Sequence, residues 1–265
     1  MSDGRLDQAS GMRRLFGRRA AQWSLAITGA GGTTVTLNLA SALARQGQRV
    51  LILDRSRGEA ATALGLSARY ELAHVLDGDK TLREVLLEGP EGITLLPAAR
   101  GLARCNAEGA TREHLANGLG PDAAPFNVWL VNGLPPPAEP GRETDLLLVA
   151  APTQESITRA YTLLKEIARE GVGQRFRLVV DRAPSESAAL ATYRNVADAA
   201  RRFLCAQLDY CGYLPHEGGP RRMRVAGHAA QLVDALSPRG HAFALLAASV
   251  VPGSAPMLPR ALPIS

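Results

Sequence analysis

The sequence predicts an α/β protein with a mostly parallel, doubly wound sheet and helices on both faces. The first observation is the stretch Ser24–Asp54, which reads as a strand, a glycine turn, a helix and a second strand, the βαβ unit of a parallel sheet. The second is that later apolar runs alternate with helical patterns, as in doubly wound folds. The runs that predict further strands lie at 92–98, 126–132, 145–152, 176–180 and 208–215. The patterns that predict further helices lie at 111–119, 153–168, 189–204, 220–233 and 238–251.

Composition indicates a globular cytoplasmic protein. The chain has 265 residues, enough to bury the core of one domain, with 46% hydrophobic and 21% charged residues. It contains no apolar run of about 18 residues, as a transmembrane helix needs, and its arginine-bearing N-terminus does not resemble a secretory signal. The three cysteines lack CxxC spacing, which predicts reduced thiols. The net charge of +5 comes without a nucleic-acid-binding signature, so direct nucleic-acid binding is not expected.

The opening βαβ unit places a glycine turn at a helix N-terminus. An apolar strand at 24–28 enters the turn Gly29–Gly32, and the helix that follows runs to about Gln46, where Gly47 ends it. The second strand ends at Asp54. Because helix N-termini present unpaired backbone N–H groups, this arrangement is typical of a phosphate-binding site.

The turn has only part of the chemistry of a phosphate-binding loop. Glycines let backbone N–H groups converge on phosphate oxygens, and a Ser or Thr hydroxyl binds Mg²⁺. The residues that meet these needs are Gly29, Gly31, Gly32, Thr33 and Thr34. The lysine that would neutralise the phosphate charge is absent, since the only lysines are Lys80 and Lys165. The alternative interpretation is a tight strand-to-helix turn with no productive ATP hydrolysis.

Residues 33–44 and 50–54 resemble the MinD/ParA class of deviant-Walker ATPases. The loop of that class reads K-G-G-x-G-K-T-T, whereas here both lysines are missing and about three residues are deleted. The resemblance extends from Asp7 to about Val251, nearly the whole chain. It implies the MinD/ParA fold.

The resemblance also shows which acids of that class are replaced. Ser56 stands at the second acid of its D-x-D motif, and Asn127 and Asn132 stand at both acids of its Walker B strand. Asp181 stands where the class often has an asparagine that recognises adenine. The resemblance therefore implies that ATP or ADP with Mg²⁺ binds weakly or not at all. If nucleotide binding is retained, Asp54, Asn132 and Asp181 would contribute to it. We expect no catalytic residues and no metal site.

The N-terminal residues resemble a partner-binding motif. The segment D-Q-A-x-x-M-R resembles the D-Q-A-x-x-L-R segment of the FlhG (FleN) branch, which binds and stimulates the GTPase FlhF. The matching residues are Asp7, Gln8, Ala9, Met12 and Arg13. The resemblance implies that Gln8 reaches toward the nucleotide site of an FlhF-type GTPase. The alternative is a frayed basic leader.

We therefore expect three parts: a partner-binding helix and linker at 1–22, a MinD-like domain at 23–251 and a proline-rich tail at 252–265. The tail has one charged residue, so it cannot form the basic membrane helix that ends many MinD relatives. The proline-rich stretch 134–141 replaces the switch region of the class and is poorly suited to a nucleotide-driven rearrangement.

Three functional hypotheses follow. The first is a pseudo-ATPase that regulates flagellar number or placement by binding an FlhF-type GTPase and flagellar switch, basal-body or transcription-regulator proteins. The second is an active ATPase that uses the glycine turn, Thr33 and Asp54, with an arginine supplied from elsewhere or from a dimer mate. The third is a paralogue that keeps only the fold.

Overall fold

The computed structural model describes residues 23–109, 115, 119–134, 144–169, 174–216, 223–225, 228–230 and 232–251. The predicted partner-binding helix, the proline-rich tail, most of the predicted helix at 111–119 and most of the stretch 134–141 lie outside the described residues.

The main element is an eight-stranded sheet with the order β3-β4-β2-β5-β1-β6-β7-β8. All neighbouring strands pair in parallel except β3, which runs antiparallel to β4. The strands are β1 Trp23–Gly29, β2 Val50–Asp54, β3 Leu87–Glu88, β4 Thr94–Pro97, β5 Val128–Asn132, β6 Thr144–Ala150, β7 Gln174–Ala183 and β8 Leu208–Pro215. The predicted mostly parallel sheet is confirmed.

Helices cover both faces of this sheet. They are α1 Gly32–Arg45, α2 Glu59–Ala63, α3 Leu72–Leu76, α4 Leu82–Val85, α5 Ala99–Ala107, α6 Gln154–Arg169, α7 Glu186–Leu204 and α8 Pro238–Val250. Successive strand residues point to opposite faces, so each apolar strand contributes side chains to two separate cores. Helices α1 and α8 pack into one core, and α3, α5, α6 and α7 pack into the other. This arrangement explains why the strands read as unbroken apolar runs.

The helix predicted at 220–233 is wrong. Met223–Val225 and His228–Ala230 form two short antiparallel strands, β9 and β10, in which Val225 pairs with His228. Alanine and arginine favour a helix locally. However, helix propensity is a weak preference, and the strand pairing observed here overrides it.

The carboxyl end of β1 is where the fold would place a ligand. β1 lies between β5 and β6, and the chain order reverses at this point, which is the usual location of ligand sites in open α/β sheets. The strand register aligns Ile27 with Asn132, and Asn132 with Asp54. Asp54 and Asn132, the predicted site residues on β2 and β5, therefore lie side by side near the glycine turn.

Candidate functional site

The glycine turn begins with a residue that no other amino acid can replace without a clash. Gly29 has φ 119, and a Cβ atom there would lie 2.2 Å from the backbone oxygen of Val149. β1 therefore touches β6 at its last residue, and the chain turns abruptly into α1. The glycine is explained by this close approach, whether or not a phosphate binds.

Helix α1 begins without a side-chain cap. Gly31 is its N-cap in the left-handed region, with φ 81, and no side chain there accepts a hydrogen bond from the first turn. A Cβ atom on Gly31 would lie 3.2 Å from Oδ2 of Asp181. The start of the helix is thus an electropositive end that faces a carboxylate of β7.

A cavity of about 340 Å³ lies over this turn. The predicted nucleotide-binding residues that line it are Gly29, Gly31, Gly32, Thr33 and Asn132. Thr34 is exposed and does not line it, so Thr33 is the threonine placed toward the cavity. Asp54 and Asp181 lie behind this lining, Asp54 next to Asn132 and Asp181 next to Gly31.

Asp54 and Asn132 form a buried hydrogen bond at the carboxyl ends of β2 and β5. Asn132 Nδ2 donates to Asp54 Oδ1 over 2.8 Å, and the two residues are 5% and 2% exposed. The backbone N–H of Ser56 donates to the same oxygen over 2.9 Å. Asn132 Oδ1 in turn accepts from the Thr36 hydroxyl over 3.4 Å. Two donors from within the chain, the Asn132 amide and the Ser56 N–H, therefore engage Oδ1 of the buried carboxylate.

The hydroxyl of Thr33 is also engaged within the protein. It donates to Glu59 Oε2 at the start of α2 over 3.1 Å, and it accepts from Asn132 Nδ2 over 3.4 Å. A hydroxyl that binds Mg²⁺ must present its lone pair to the metal. Here that oxygen faces an amide N–H instead.

These contacts do not fit Mg²⁺. The ion prefers hard oxygen ligands in octahedral geometry, usually with a carboxylate among them. The amide nitrogen of Asn132 is a donor and points at both Asp54 and Thr33. Among the described residues, no group of three or more His, Cys, Asp or Glu side chains is arranged to hold a metal.

Two arginines that the sequence analysis did not single out line the same cavity. Arg55 follows Asp54 directly and donates through Nη1 to the backbone oxygen of Leu134 over 2.6 Å. Burial lowers the pKa of its guanidinium group from the usual value. Arg159 lies on α6, is exposed, and has no ion-pair partner within the described ranges. The positive charge near the turn therefore comes from the segment after β2 and from α6. The hypothesis of an active ATPase requires an arginine of this kind, supplied from outside the turn.

Asp181 is held in a buried ion pair. Its Oδ1 lies 2.5 Å from Nη2 of Arg239 in α8, and the two residues are 3% and 7% exposed. Arg239 also donates to the backbone oxygen of Pro215, and its guanidinium stacks 5.5 Å from the ring centre of Phe243. A carboxylate engaged in this way is a poor partner for an adenine amino group, the role that the resemblance suggested for Asp181.

The structure separates Asn127 from the rest of the site. Asn127 precedes β5 and hydrogen-bonds Gln48 and the N–H of Arg49, both just before β2. Asn132 ends the same strand, about 16 Å away at ~3.3 Å per residue. Asn127 therefore links the amino ends of two strands, and its treatment as a nucleotide-handling position is wrong.

Comparisons with known proteins agree with this α/β fold. A family model described as an AAA domain matches residues 26–118. The antiactivator FleN of Pseudomonas aeruginosa is 30% identical over 240 residues, which cover 88% of this chain and 86% of FleN. An uncharacterized ATP-binding protein of Methanocaldococcus jannaschii is 27% identical and covers 84% of both chains. The MinD cell division protein of Aquifex aeolicus superposes with a TM-score of 0.63 and 22% identity, over 90% of this chain and 100% of MinD.

Proposed function

We propose that this chain, which belongs to the FleN branch of the MinD/ParA class of ATPases, regulates flagellar number or placement in the cytoplasm. In this proposal it acts as a binding protein that does not turn over ATP. The hydrogen bond from the Asn132 amide to the buried Asp54 carboxylate carries the proposed lack of ATP turnover, and the similarity to FleN supports the regulatory role. Phosphoryl transfer depends mainly on positioning and on neutralising charge with a metal and cations. An amide at the metal-facing position removes one of these requirements, and the missing loop lysines remove another.

The proposed partner-binding part is the N-terminal segment 1–22, and the proposed body is 23–251. In this arrangement Gln8 acts on the nucleotide site of an FlhF-type GTPase, while the body binds a flagellar switch, basal-body or transcription-regulator protein. The name of the Pseudomonas aeruginosa relative, an antiactivator, supports a regulator as the target of the body. The proposed function needs no hydrolysis by this chain itself.

Isothermal titration calorimetry with ATP and ADP, with and without Mg²⁺, tests the loss of the metal site. We expect no Mg²⁺-dependent heat of binding and no phosphate release above the buffer rate. A MinD protein titrated in the same buffer is the positive control. Mg²⁺-dependent ATP binding with steady phosphate release would overturn the proposal.

A GTPase assay tests the partner function separately. The full chain is added to an FlhF-type GTPase, and GTP turnover is compared for wild type, Gln8→Ala and Gln22→Ala. We expect stimulation by wild type and by Gln22→Ala, which changes the same side chain outside the motif, and little stimulation by Gln8→Ala. Equal stimulation by all three proteins, or by none, would contradict the assignment.

A second candidate function is phosphate or nucleotide binding without Mg²⁺. Arg55 and Arg159 favour it, because two guanidinium groups line the cavity over the uncapped start of α1. If ADP binds without Mg²⁺, Arg159→Ala should weaken it by about tenfold, since a hydrogen bond to a charged group contributes ~1.5 kcal/mol or more. Arg83→Ala, an exposed arginine outside the cavity, is the control and should leave binding unchanged.

A further inference from the structure

A second and larger cavity lies beside the carboxyl ends of β2 and β4. Its volume is about 710 Å³, roughly twice that of the cavity over the glycine turn. Ligand sites in proteins are typically ~300–1,000 Å³. It is enclosed by α2, the connection from α2 to α3, and the start of α5. The function proposed above does not use it.

Short side chains create this space. The walls include Ala61 of α2, Ala98 before α5 and Ala103 within α5, with Leu66 and Tyr70 completing the apolar part. Because alanine fills little volume, three elements meet here without closing the gap between them. The wall is suited to a flat apolar group.

The rim of the cavity carries unneutralised positive charge. Arg57 and Arg69 both line it and are exposed, and neither has a carboxylate within ion-pair distance among the described residues. The guanidinium of Arg69 lies 5.4 Å from the ring centre of Tyr70, which holds it along the apolar wall.

The other charged groups in the cavity are already paired. Glu71 accepts from Nε of Arg100 over 2.8 Å and from the backbone N–H of Arg100 over 3.0 Å, so it caps the start of α5. Asp54 is 2% exposed and accepts the hydrogen bonds from Asn132 and Ser56. The buried carboxylate repels an anion from the inner end, so an anion is favoured only at the rim.

We infer that this cavity binds a small organic anion, whose acidic group meets Arg57 and Arg69 and whose flat apolar body packs against the alanine wall and Tyr70. The two guanidinium groups supply charge and planar hydrogen-bond donors for a carboxylate, sulfonate or phosphate. The site lies beside the cavity over the glycine turn, and of the predicted nucleotide-binding residues only Asp54 lines it.

Two fluorescent probes test the charge and the apolar wall separately. Anilinonaphthalene sulfonate is a flat aromatic anion, and phenylnaphthylamine is its uncharged counterpart. Both are titrated into the full chain, and the fluorescence increase is fitted for affinity and stoichiometry. We expect saturable binding of both probes at one site per chain, with the anion bound more tightly.

One double variant removes the charge, and one single variant closes the space. The double variant Arg57→Gln/Arg69→Gln should weaken the anionic probe about tenfold and leave the neutral probe within about twofold, because only the charged hydrogen bonds are lost. Ala103→Phe should weaken both probes. Ala107→Phe, one turn further along α5 and outside the cavity, is its matched control and should weaken neither.

These positions are exposed, so the variants are expected to fold, and circular dichroism checks this. Saturable binding that is lost in Ala103→Phe and selectively weakened by the arginine changes supports the site. The inference is overturned if neither probe saturates at one site per chain. It is also overturned if Ala103→Phe and Ala107→Phe behave alike, or if the arginine changes weaken both probes equally.

Discussion

Replacing Asn132 by aspartate should make the stability of the fold depend on pH or on a bound cation. Asn132 Nδ2 lies 2.8 Å from Asp54 Oδ1, and both residues are almost fully buried. In Asn132→Asp the donated hydrogen bond is lost, and a second carboxylate oxygen takes its place at the same short distance. Two buried carboxylates in contact are stable only if a proton or a metal ion lies between them.

The size of the effect follows from the charge separation. Two unit charges about 4 Å apart repel by ~4 kcal/mol at an effective dielectric constant of about 20. Holding one carboxyl group protonated costs about 1.4 kcal/mol per pH unit above its ordinary pKa of ~4. We therefore expect a loss of ~4 kcal/mol in the free energy of unfolding at about pH 8, and a loss of only ~1.5 kcal/mol at about pH 5.

The direction of the pH dependence follows from proton binding. A repulsion of ~4 kcal/mol raises the pKa of one carboxyl group in the folded variant by about 3 units, to ~7. Below that pH the folded variant keeps a proton that the unfolded chain releases, so the variant gains stability relative to wild type as the pH falls from about 7 to about 5. Urea unfolding followed by fluorescence of the buried Trp129 measures both values. Asn127→Asp, the same change away from any carboxylate partner, is the control, and we expect it to cost less than about 1 kcal/mol at either pH.

Two results would refute this reasoning. One is an Asn132→Asp protein within about 1 kcal/mol of wild type at about pH 8, since the repulsion would then be absent. The other is a variant whose deficit grows as the pH falls. Adding MgCl₂ gives a further check, because Mg²⁺ should stabilise Asn132→Asp and leave wild type unchanged. Equal stabilisation of both proteins would show that the amide does not replace a cation.

Three further predictions concern buried contacts. Arg239→Met removes the nearer of two arginines that pair with the buried Asp181 carboxylate, while Nε of the more exposed Arg182 stays 3.4 Å from Oδ2. It should lower the free energy of unfolding by about 3 kcal/mol, whereas the double change with Asp181→Leu should cost less; a larger loss in the double variant would contradict this. Gly29→Ala should cost at least ~3 kcal/mol in thermal unfolding, because the Cβ clashes with a neighbouring strand at a positive φ, and a loss below about 1 kcal/mol would rule out the clash. Burial raises the pKa of Cys211 to about 11, so a thiol reagent near pH 8 should label the exposed Cys205 first and Cys211 only after denaturation, and similar rates would refute this.

The parallel sheet and the glycine turn are predictable from sequence because their signals are local. Unbroken apolar runs indicate strands buried on both faces, and the glycines and Thr33 fall within a few residues of one strand end. Asp54 and Asn132 are also accessible to sequence reasoning, since each ends an apolar run and parallel strands bring such ends together.

The rest of the site depends on distant segments. Arg159 and Arg239 reach the carboxyl edge of the sheet only because α6 and α8 begin there, and nothing in their own neighbourhoods marks them. Asn127 is wrongly predicted to be a nucleotide-handling position, because the motif behind that prediction spans both ends of β5. The paired strands at 223–225 and 228–230 are not predicted, because helix propensity is a weak signal that strand pairing overrides.

The hydrogen bond between Asn132 and Asp54 also bears on how the cell could control this protein. A ligand that binds only the folded state adds stability that rises with the logarithm of its concentration above the Kd. A protein that needed a nucleotide-bound cation beside Asp54 would therefore be more stable when nucleotide is plentiful. Here Oδ1 of Asp54 accepts its hydrogen bonds from within the chain. If this chain binds no nucleotide, as proposed, its folded stability is independent of nucleotide supply, and the amount of protein set by synthesis and degradation is what its partners respond to.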